Sequence, residues 1–77
     1  MDIHEFIKNF GAQFDETEMS EFTSTTKFRE LEEWSSLNAL AILNMVGKKY
    51  TVILKPEEMK ATNTVQELFD LVQSKKN

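Results

Sequence analysis

Apolar side chains recur every three or four positions in three stretches of this 77-residue chain, the spacing of an amphipathic helix. The first stretch follows Asp2, which forms a capping pair with Glu5. Its apolar positions are Ile3, Phe6, Ile7, Phe10 and Phe14. Gly11 interrupts the pattern at a cost of about 1 kcal/mol, which burial of the phenylalanines should exceed. The pattern predicts a first helix from Ile3 to Phe14.

Periodicity fades between Asp15 and Glu33, where polar residues dominate. Phe22 and the pair Phe28 and Leu31 still offer apolar side chains to a core, and the spacing of the pair indicates a turn of helix. We therefore expect a long loop that packs against the helices rather than a linker.

The second apolar stretch begins after Ser35, a residue typical of helix N-caps, and extends from Leu37 to Tyr50. The main stripe of this predicted helix comprises Ala39, Ile42, Leu43, Val46 and Tyr50. Leu37, Ala41 and Met45 lie on a neighbouring face at four-residue spacing. That face either binds a partner or packs under the long loop, and the pattern leaves both open.

Two further helices are predicted after the second stretch. The run 52–54 is too short to form a sheet and is expected to be a buried connector. Pro56 opens a short third helix that ends by Ala61. A capping pair of Thr64 and Glu67 opens the last helix. The apolar positions of that helix are Val65, Leu68, Phe69, Leu71 and Val72.

These segments predict an all-α bundle of three main helices and one short helix, with a long first loop, in a single domain over residues 1–77. A chain of this length has room for one thin core and none for a deep substrate pocket. It contains no cysteine, so packing alone must hold the fold together. We expect a monomer.

Composition narrows the classes of function. A net charge of -4 and a pI of about 4.9 argue against nucleic-acid binding and favour basic protein partners. His4 is the only histidine, so neither a metal site nor a catalytic nucleophile and base pair is expected. No apolar stretch reaches the roughly 20 residues of a membrane span, and the acidic start lacks the basic region of a signal peptide. These observations predict a soluble, cytoplasmic protein and argue against an enzyme with a deep pocket.

The segment from Ser36 to Tyr50 resembles the second helix of acyl carrier proteins, which begins Asp-Ser-Leu and has an aromatic residue fourteen positions after the serine. The resemblance continues without a gap through Pro56-Glu57-Glu58 into the last helix. Upstream, Phe28-x-x-Leu31 is similar to the hydrophobic pair that precedes the modified serine of that family. The resemblance covers nearly the whole chain and implies an acyl-carrier-like four-helix bundle.

The resemblance further implies that a phosphopantetheinyl transferase attaches 4′-phosphopantetheine covalently to Ser36. The thiol of this arm would carry acyl or aminoacyl groups as thioesters in fatty acid or polyketide biosynthesis. Implied partners are acyl-activating, ketosynthase-like and acyltransferase enzymes. A serine at a helix N-terminus suits this chemistry, because backbone N–H groups and the helix dipole stabilise a phosphodiester.

The chain departs from the family pattern at Ser35, where the family has aspartate. Trp34 before it resembles a group of stand-alone carriers that have Trp-Asp-Ser-Leu. A neutral hydroxyl is a poorer partner than a carboxylate for basic groups or Mg²⁺. The alternative is therefore a degenerate, unmodified carrier fold that acts as a helical protein-interaction adaptor.

The predicted second helix also lacks the acidic residues of typical carriers, so its partners should differ. Glu32 and Glu33, just before the serines, are candidates to supply the missing acidity for steering. The other predicted partner-binding residues are Leu37, Ala41 and Met45.

The position of the modified serine depends on how the chain is aligned with the family. Counting forward from Phe28-x-x-Leu31 by the usual loop length would select Ser35. The spacing of residues along a helix is fixed, whereas a loop tolerates one extra residue. The apolar positions up to Tyr50 match those of the family only when the count starts from Ser36. We therefore expect the modification on Ser36.

Overall fold

The computed structural model describes residues 1–76. These residues form four α-helices and no strand: α1 Ile3–Gly11, α2 Ser36–Tyr50, α3 Pro56–Lys60 and α4 Val65–Lys76. Two 3₁₀ turns, Met19–Glu21 and Phe28–Glu30, lie in the long loop between α1 and α2. The predicted all-α bundle, with one short helix and a long first loop, is confirmed.

Helix α1 begins where the sequence predicts and ends earlier. The Asp2 carboxylate accepts a hydrogen bond of 2.9 Å from the backbone N–H of His4 and so caps the helix. The helix ends at Gly11, and Phe14 lies in the following turn with its N–H bonded to the Gly11 carbonyl at 3.1 Å. The predicted extent to Phe14 is therefore wrong, although the ring is buried. Phe14 keeps the helical spacing because its side chain packs in the core, although its backbone lies outside the helix.

Gly11 allows the loop to pack directly on the end of α1. A Cβ atom at this position would lie 2.8 Å from Met19 Sδ and 3.0 Å from Phe22 Cδ2. Contacts that short are closer than carbon and sulfur atoms pack in protein interiors. The close approach explains a glycine inside an otherwise apolar helical pattern.

Every aromatic ring of the chain belongs to one connected network. Phe6 of α1 packs against Tyr50 of α2 and Phe69 of α4, with ring centroids 5.7 and 5.4 Å apart. Phe10, one turn on, packs against Phe28 of the loop at 5.5 Å. The remaining rings, Phe14, Phe22 and Trp34, contact Phe10, Phe28 or one another. Helix α1 thus contacts α2, α4 and the long loop through its phenylalanines.

The predicted packed loop is confirmed. Phe22 and Phe28 are buried and Leu31 is half-buried against the core. The loop also contacts α4, because the carbonyls of Ser24 and Thr26 accept backbone hydrogen bonds of 2.9 and 3.1 Å from the first turn of that helix. The backbone of the loop is therefore held by hydrogen bonds to α4 near its middle, in addition to its connections to α1 and α2.

The capping pair predicted for α4 is confirmed. Thr64 Oγ1 accepts a bond of 3.1 Å from the Glu67 N–H, and Glu67 Oε1 accepts one of 2.9 Å from the Thr64 N–H. Two backbone donors at the helix start are thereby satisfied reciprocally. The start of α4 could therefore be predicted from these two residues of the sequence.

The connector between α2 and α3 alternates in burial. Val52 and Leu54 are buried, whereas Ile53 between them is 86% exposed. An extended segment points successive side chains to opposite sides, so three consecutive apolar residues cannot all face one core. The prediction of a fully buried connector is therefore wrong for Ile53.

The C-terminus of α2 ends in a strained residue. Thr51 has φ of 54° and ψ of 37°, in the left-handed region that glycine usually occupies at this position. A residue with a Cβ atom is unfavourable there because the Cβ lies too close to the following carbonyl oxygen. The Tyr50 carbonyl accepts hydrogen bonds from the Thr51 hydroxyl at 2.6 Å and from Lys76 Nζ at 3.1 Å. These bonds hold the strained turn in place.

We expect Thr51→Gly to raise the free energy of unfolding by about 1 kcal/mol, because glycine adopts positive φ without the Cβ conflict. Urea unfolding followed by circular dichroism measures the change. Thr51→Ala is the matched control: it removes the hydroxyl but keeps a Cβ, and should give no gain. An equal gain in both variants would show that the left-handed backbone is not the source of the strain.

Candidate functional site

Ser36 occupies the first position of the fifteen-residue helix α2, and its side chain is exposed. None of the side-chain hydrogen bonds within the described part of the chain involves its hydroxyl. The first-turn backbone N–H groups also lack a side-chain cap. Such N–H groups, with the helix dipole, favour a negatively charged group. A free hydroxyl therefore stands where an attached anion would be stabilised.

Ser35 is the N-cap residue of α2 by position, as predicted, but its hydroxyl does not cap the helix. The hydroxyl donates to Asn38 Oδ1 at 2.9 Å, and Asn38 Nδ2 donates to the Gln13 carbonyl at 3.4 Å. Asn38 is buried, so these bonds satisfy a polar group inside the fold. They tie the first turn of α2 to the turn that follows α1.

Trp34 fixes the backbone just before the two serines. Its ring packs against Phe28, with centroids 5.2 Å apart, and stacks on Phe14 at 6.2 Å. Its backbone N–H donates to the Leu31 carbonyl at 3.0 Å. The residue beside the candidate site is therefore held by the aromatic core rather than by the loop alone.

A cleft of about 360 Å³ opens beside Ser36, between the start of α2 and helix α3. Its apolar walls include Trp34, Ala39, Leu43, Pro56 and Met59. Arg29 and Lys60 also line it, and no histidine or carboxylate does. The cleft has the volume of a small-molecule site, but nothing in it can take a proton from Ser36. Sequence reasoning missed it because its walls come from segments distant along the chain.

The Glu33 carboxylate is hydrogen-bonded to the long loop between α1 and α2. Its carboxylate accepts hydrogen bonds from the backbone N–H groups of Asp15, Glu16 and Thr17 and from the Thr17 hydroxyl, at 2.7 to 2.9 Å. Partial burial raises the pKa of the Glu33 carboxyl, but the bonds from the Thr17 hydroxyl and the backbone outweigh it, so the pKa lies below its usual value. Glu32, its neighbour in the predicted partner-binding pair, is exposed.

The three apolar residues predicted to share a partner-binding face lie on successive turns of α2 but differ in burial. Leu37 is 76% exposed, Ala41 is half-buried, and Met45 is only 5% exposed and belongs to the core. Of the two alternatives that the pattern left open, partner binding and packing within the fold, Met45 therefore fits the second. Leu40, one turn from Leu37, is 57% exposed and was not singled out. Its three-residue spacing from Leu37 was the available signal.

The described residues contain no cluster of histidine and acidic side chains arranged to hold a metal ion. Among the helices that they form, none is long and apolar enough to span a membrane. The cleft beside Ser36 combines two serine hydroxyls, apolar walls and two cationic side chains.

The chain was compared with models of protein families, with curated proteins and with solved structures, and none of these comparisons found a match. A small helical bundle supports many unrelated functions, so the fold alone does not decide among them. A proposal about the function therefore has to be argued from individual side chains and their surroundings.

We expect Glu33→Gln to lower the melting temperature at neutral pH, because an amide cannot accept all the bonds that the carboxylate accepts. A carboxyl whose pKa is lowered by folding stabilises the protein above its unfolded pKa, and this stabilisation is lost as the pH falls through the folded pKa. The difference from the parent protein should therefore shrink as the pH falls below the usual value of 4.5.

Thermal unfolding followed by circular dichroism at a series of pH values makes this measurement. Glu32→Gln, which removes the same charge from the adjacent exposed residue, is the control and should change the melting temperature little. Equal losses in the two variants would mean that net charge, and not the hydrogen bonds of Glu33, accounts for the effect.

Proposed function

We propose that this chain is a carrier protein in which Ser36 bears a covalent 4′-phosphopantetheine arm. The arm would hold acyl or aminoacyl groups as thioesters and present them to partner enzymes. The proposal rests mainly on the free, exposed hydroxyl of Ser36 at an uncapped helix start, next to an apolar cleft. The resemblance of residues 36–50 to the second helix of acyl carrier proteins supports the same function.

The residues around Ser36 fit the attachment reaction. Ser36 Oγ would form a bond to the phosphorus that carries pantetheine in coenzyme A, as the bond from that phosphorus to 3′,5′-ADP breaks. The first-turn N–H groups of α2 favour the negative charge of the resulting phosphodiester. No side chain of the cleft can accept the hydroxyl proton, so it would pass to a base on the transferase. The chain is accordingly a substrate of that enzyme and not itself a catalyst.

The carrier chemistry also fits what the chain lacks. The arm supplies a thiol, and the chain has no cysteine of its own. The apolar walls of the cleft offer a place for the hydrocarbon part of a carried group, since burial of each methylene group contributes about 0.8 kcal/mol. A small domain that presents a cargo in this way needs transient contacts with several enzymes rather than a deep active site.

An unmodified helical adaptor is the second candidate. Ser35 offers no negative charge at the position of the family's aspartate, and its hydroxyl is already bonded to Asn38. The exposed Leu37 and Leu40 could bind a partner without any modification. The two candidates differ in whether Ser36 is modified.

Intact mass after incubation with coenzyme A and a broad-specificity phosphopantetheinyl transferase tests the carrier function. We expect a gain equal to one phosphopantetheine group in the parent protein and in Ser35→Ala, and none in Ser36→Ala. A gain lost only in Ser35→Ala would move the site to Ser35. No gain in the parent, with a gain in Ser35→Asp, would mean that modification is disabled and would favour the adaptor.

Trp34, the only tryptophan, reports on the cleft that it lines. Loading the modified protein with an octanoyl group should shift Trp34 emission to shorter wavelength, because hydrocarbon in the cleft excludes water from the indole. Acetyl-loaded protein is the control, since its cargo is too short to fill the cleft. Identical emission from both loaded forms would show that the cleft does not hold the cargo.

A further inference from the structure

The cleft beside Ser36 carries charge of one sign. Its charged residues are Arg29 and Lys60, and no carboxylate within the described part of the chain lines it. In the chain as a whole, acidic side chains outnumber basic ones by thirteen to nine. A cleft with two cations and no carboxylate therefore differs in charge from the average of this protein and favours an anionic occupant.

Neither cation of the cleft is neutralised by a partner inside the fold. The ion pair found among residues 1–76 joins Lys75 to Glu58 and involves neither Arg29 nor Lys60. Both side chains are exposed, so their donors face the solvent at the edge of apolar walls. An anion at such an edge is attracted more strongly than in open water, because the effective dielectric constant is lower there. The two cations are therefore available to a bound molecule.

The core fixes the backbone from which each cation projects. Arg29 follows Phe28 and Lys60 follows Met59, two residues whose side chains are buried. A backbone hydrogen bond of 3.1 Å from the Val65 N–H to the loop holds the loop against the segment that follows α3. The two cations therefore lie on neighbouring segments, at positions that the packing of the bundle sets.

The length of the cleft limits what it can hold. Ser36, Ala39 and Leu43 line it at three- and four-residue spacing, so it extends about 10 Å along α2 at 1.5 Å per residue. An extended hydrocarbon advances about 1.25 Å for each C–C bond of about 1.5 Å, so about eight carbon atoms span this distance. The occupant that matches the walls is a chain of this length that is apolar along its body and anionic at one point.

We propose that the cleft selects carried acyl groups that end in a carboxylate. The hydrocarbon packs against Ala39 and Leu43, and the terminal carboxylate pairs with Arg29 and Lys60. This inference rests on the carrier function proposed above and adds the chemical class of the cargo, a dicarboxylic acid attached through one of its two carboxyl groups. Arginine binds a carboxylate through two parallel N–H bonds, and lysine binds it as a point charge. An acyl group that ends in a methyl group uses neither cation.

The phosphodiester of the arm is a second anion near these cations. It is attached to Ser36 at the start of α2, where the first-turn N–H groups already favour its charge. The apolar walls beyond Ser36 offer nothing to a phosphodiester, whereas they bury the chain of a dicarboxylic acyl group. A carboxylate at the end of the carried group thus uses both the walls and the cations.

A test on the Ser36→Cys variant does not depend on the transferase. The described residues hold no other cysteine, so a thiol forms a mixed disulfide at this position alone. The variant is joined to octanethiol or to 8-mercaptooctanoic acid, and its melting temperature is measured by circular dichroism. We expect the chain with the carboxylate to give a melting temperature about 4 °C higher at low salt and a smaller difference at high salt, because salt screens exposed ion pairs.

Substitutions of the cations show where the difference comes from. Arg29→Gln and Lys60→Gln, each in the Ser36→Cys background, should remove about half of it, and the double variant should abolish it. Lys49→Gln removes the same charge from an exposed residue at the far end of α2 and should leave the difference unchanged. Equal melting temperatures with the two attached chains, or a difference that persists in the double variant, would overturn the proposed selectivity. Circular dichroism spectra confirm that each variant keeps the helical fold.

The arm itself is examined with the parent protein, modified by the transferase and loaded with an octanoyl or an octanedioyl group. We expect the octanedioyl thioester to hydrolyse about threefold more slowly in the parent, because a cargo held in the cleft is shielded from water, and at the octanoyl rate when both cations are replaced. If the parent is not modified, the carrier function fails, and the disulfide-linked chains still decide the selectivity of the cleft. Stabilisation by the unloaded arm that depends on the cations, with equal hydrolysis of the two thioesters, would assign the cations to the phosphodiester and contradict the proposed cargo.

Discussion

The packing of phenylalanine rings on α1 is the interaction on which the other elements depend. Phe10 contacts rings from its own helix and from the loop, while Phe6 contacts Tyr50 of α2 and Phe69 of α4. Full burial of one phenylalanine contributes about 1.5 to 3 kcal/mol, in a domain class whose total stability is about 5 to 15 kcal/mol. With no cysteine available for a crosslink, a few rings account for much of what holds the bundle together.

The same packing extends to the candidate site. Phe28 packs against Trp34, and Trp34 immediately precedes Ser35. The Glu33 carboxylate binds the loop backbone, and Asn38 joins the first turn of α2 to the turn that follows α1. The Ser36 side chain is exposed, whereas Trp34 and Ser35 before it and Asn38 after it are held by specific contacts. The placement of this exposed hydroxyl therefore depends on the packing of the core as much as on α2.

Features of this chain that depend on local spacing could be predicted from the sequence, and features that depend on tertiary contacts could not. The capping pair of Thr64 and Glu67 could be predicted because its two residues lie three positions apart in the sequence. The end of α1 was not, because Phe14 keeps the helical spacing and is buried although the helix ends at Gly11, where the loop packs against it. The exposed serine at the start of α2 was evident from its motif, whereas the loop contacts of Glu33 and the burial of Met45 depend on how distant segments meet.

The edge-to-face contact of Phe6 with Phe69 joins two rings that are 63 positions apart in the chain. Contacts over such a separation form slowly relative to local helical turns, because the intervening chain must first be brought together. During synthesis the ring of Phe6 has no α4 to pack against until that helix has left the ribosome. Completion of the core therefore has to wait for the synthesis of α4, and the phenylalanine-rich first helix is exposed to aggregation or to chaperones until then.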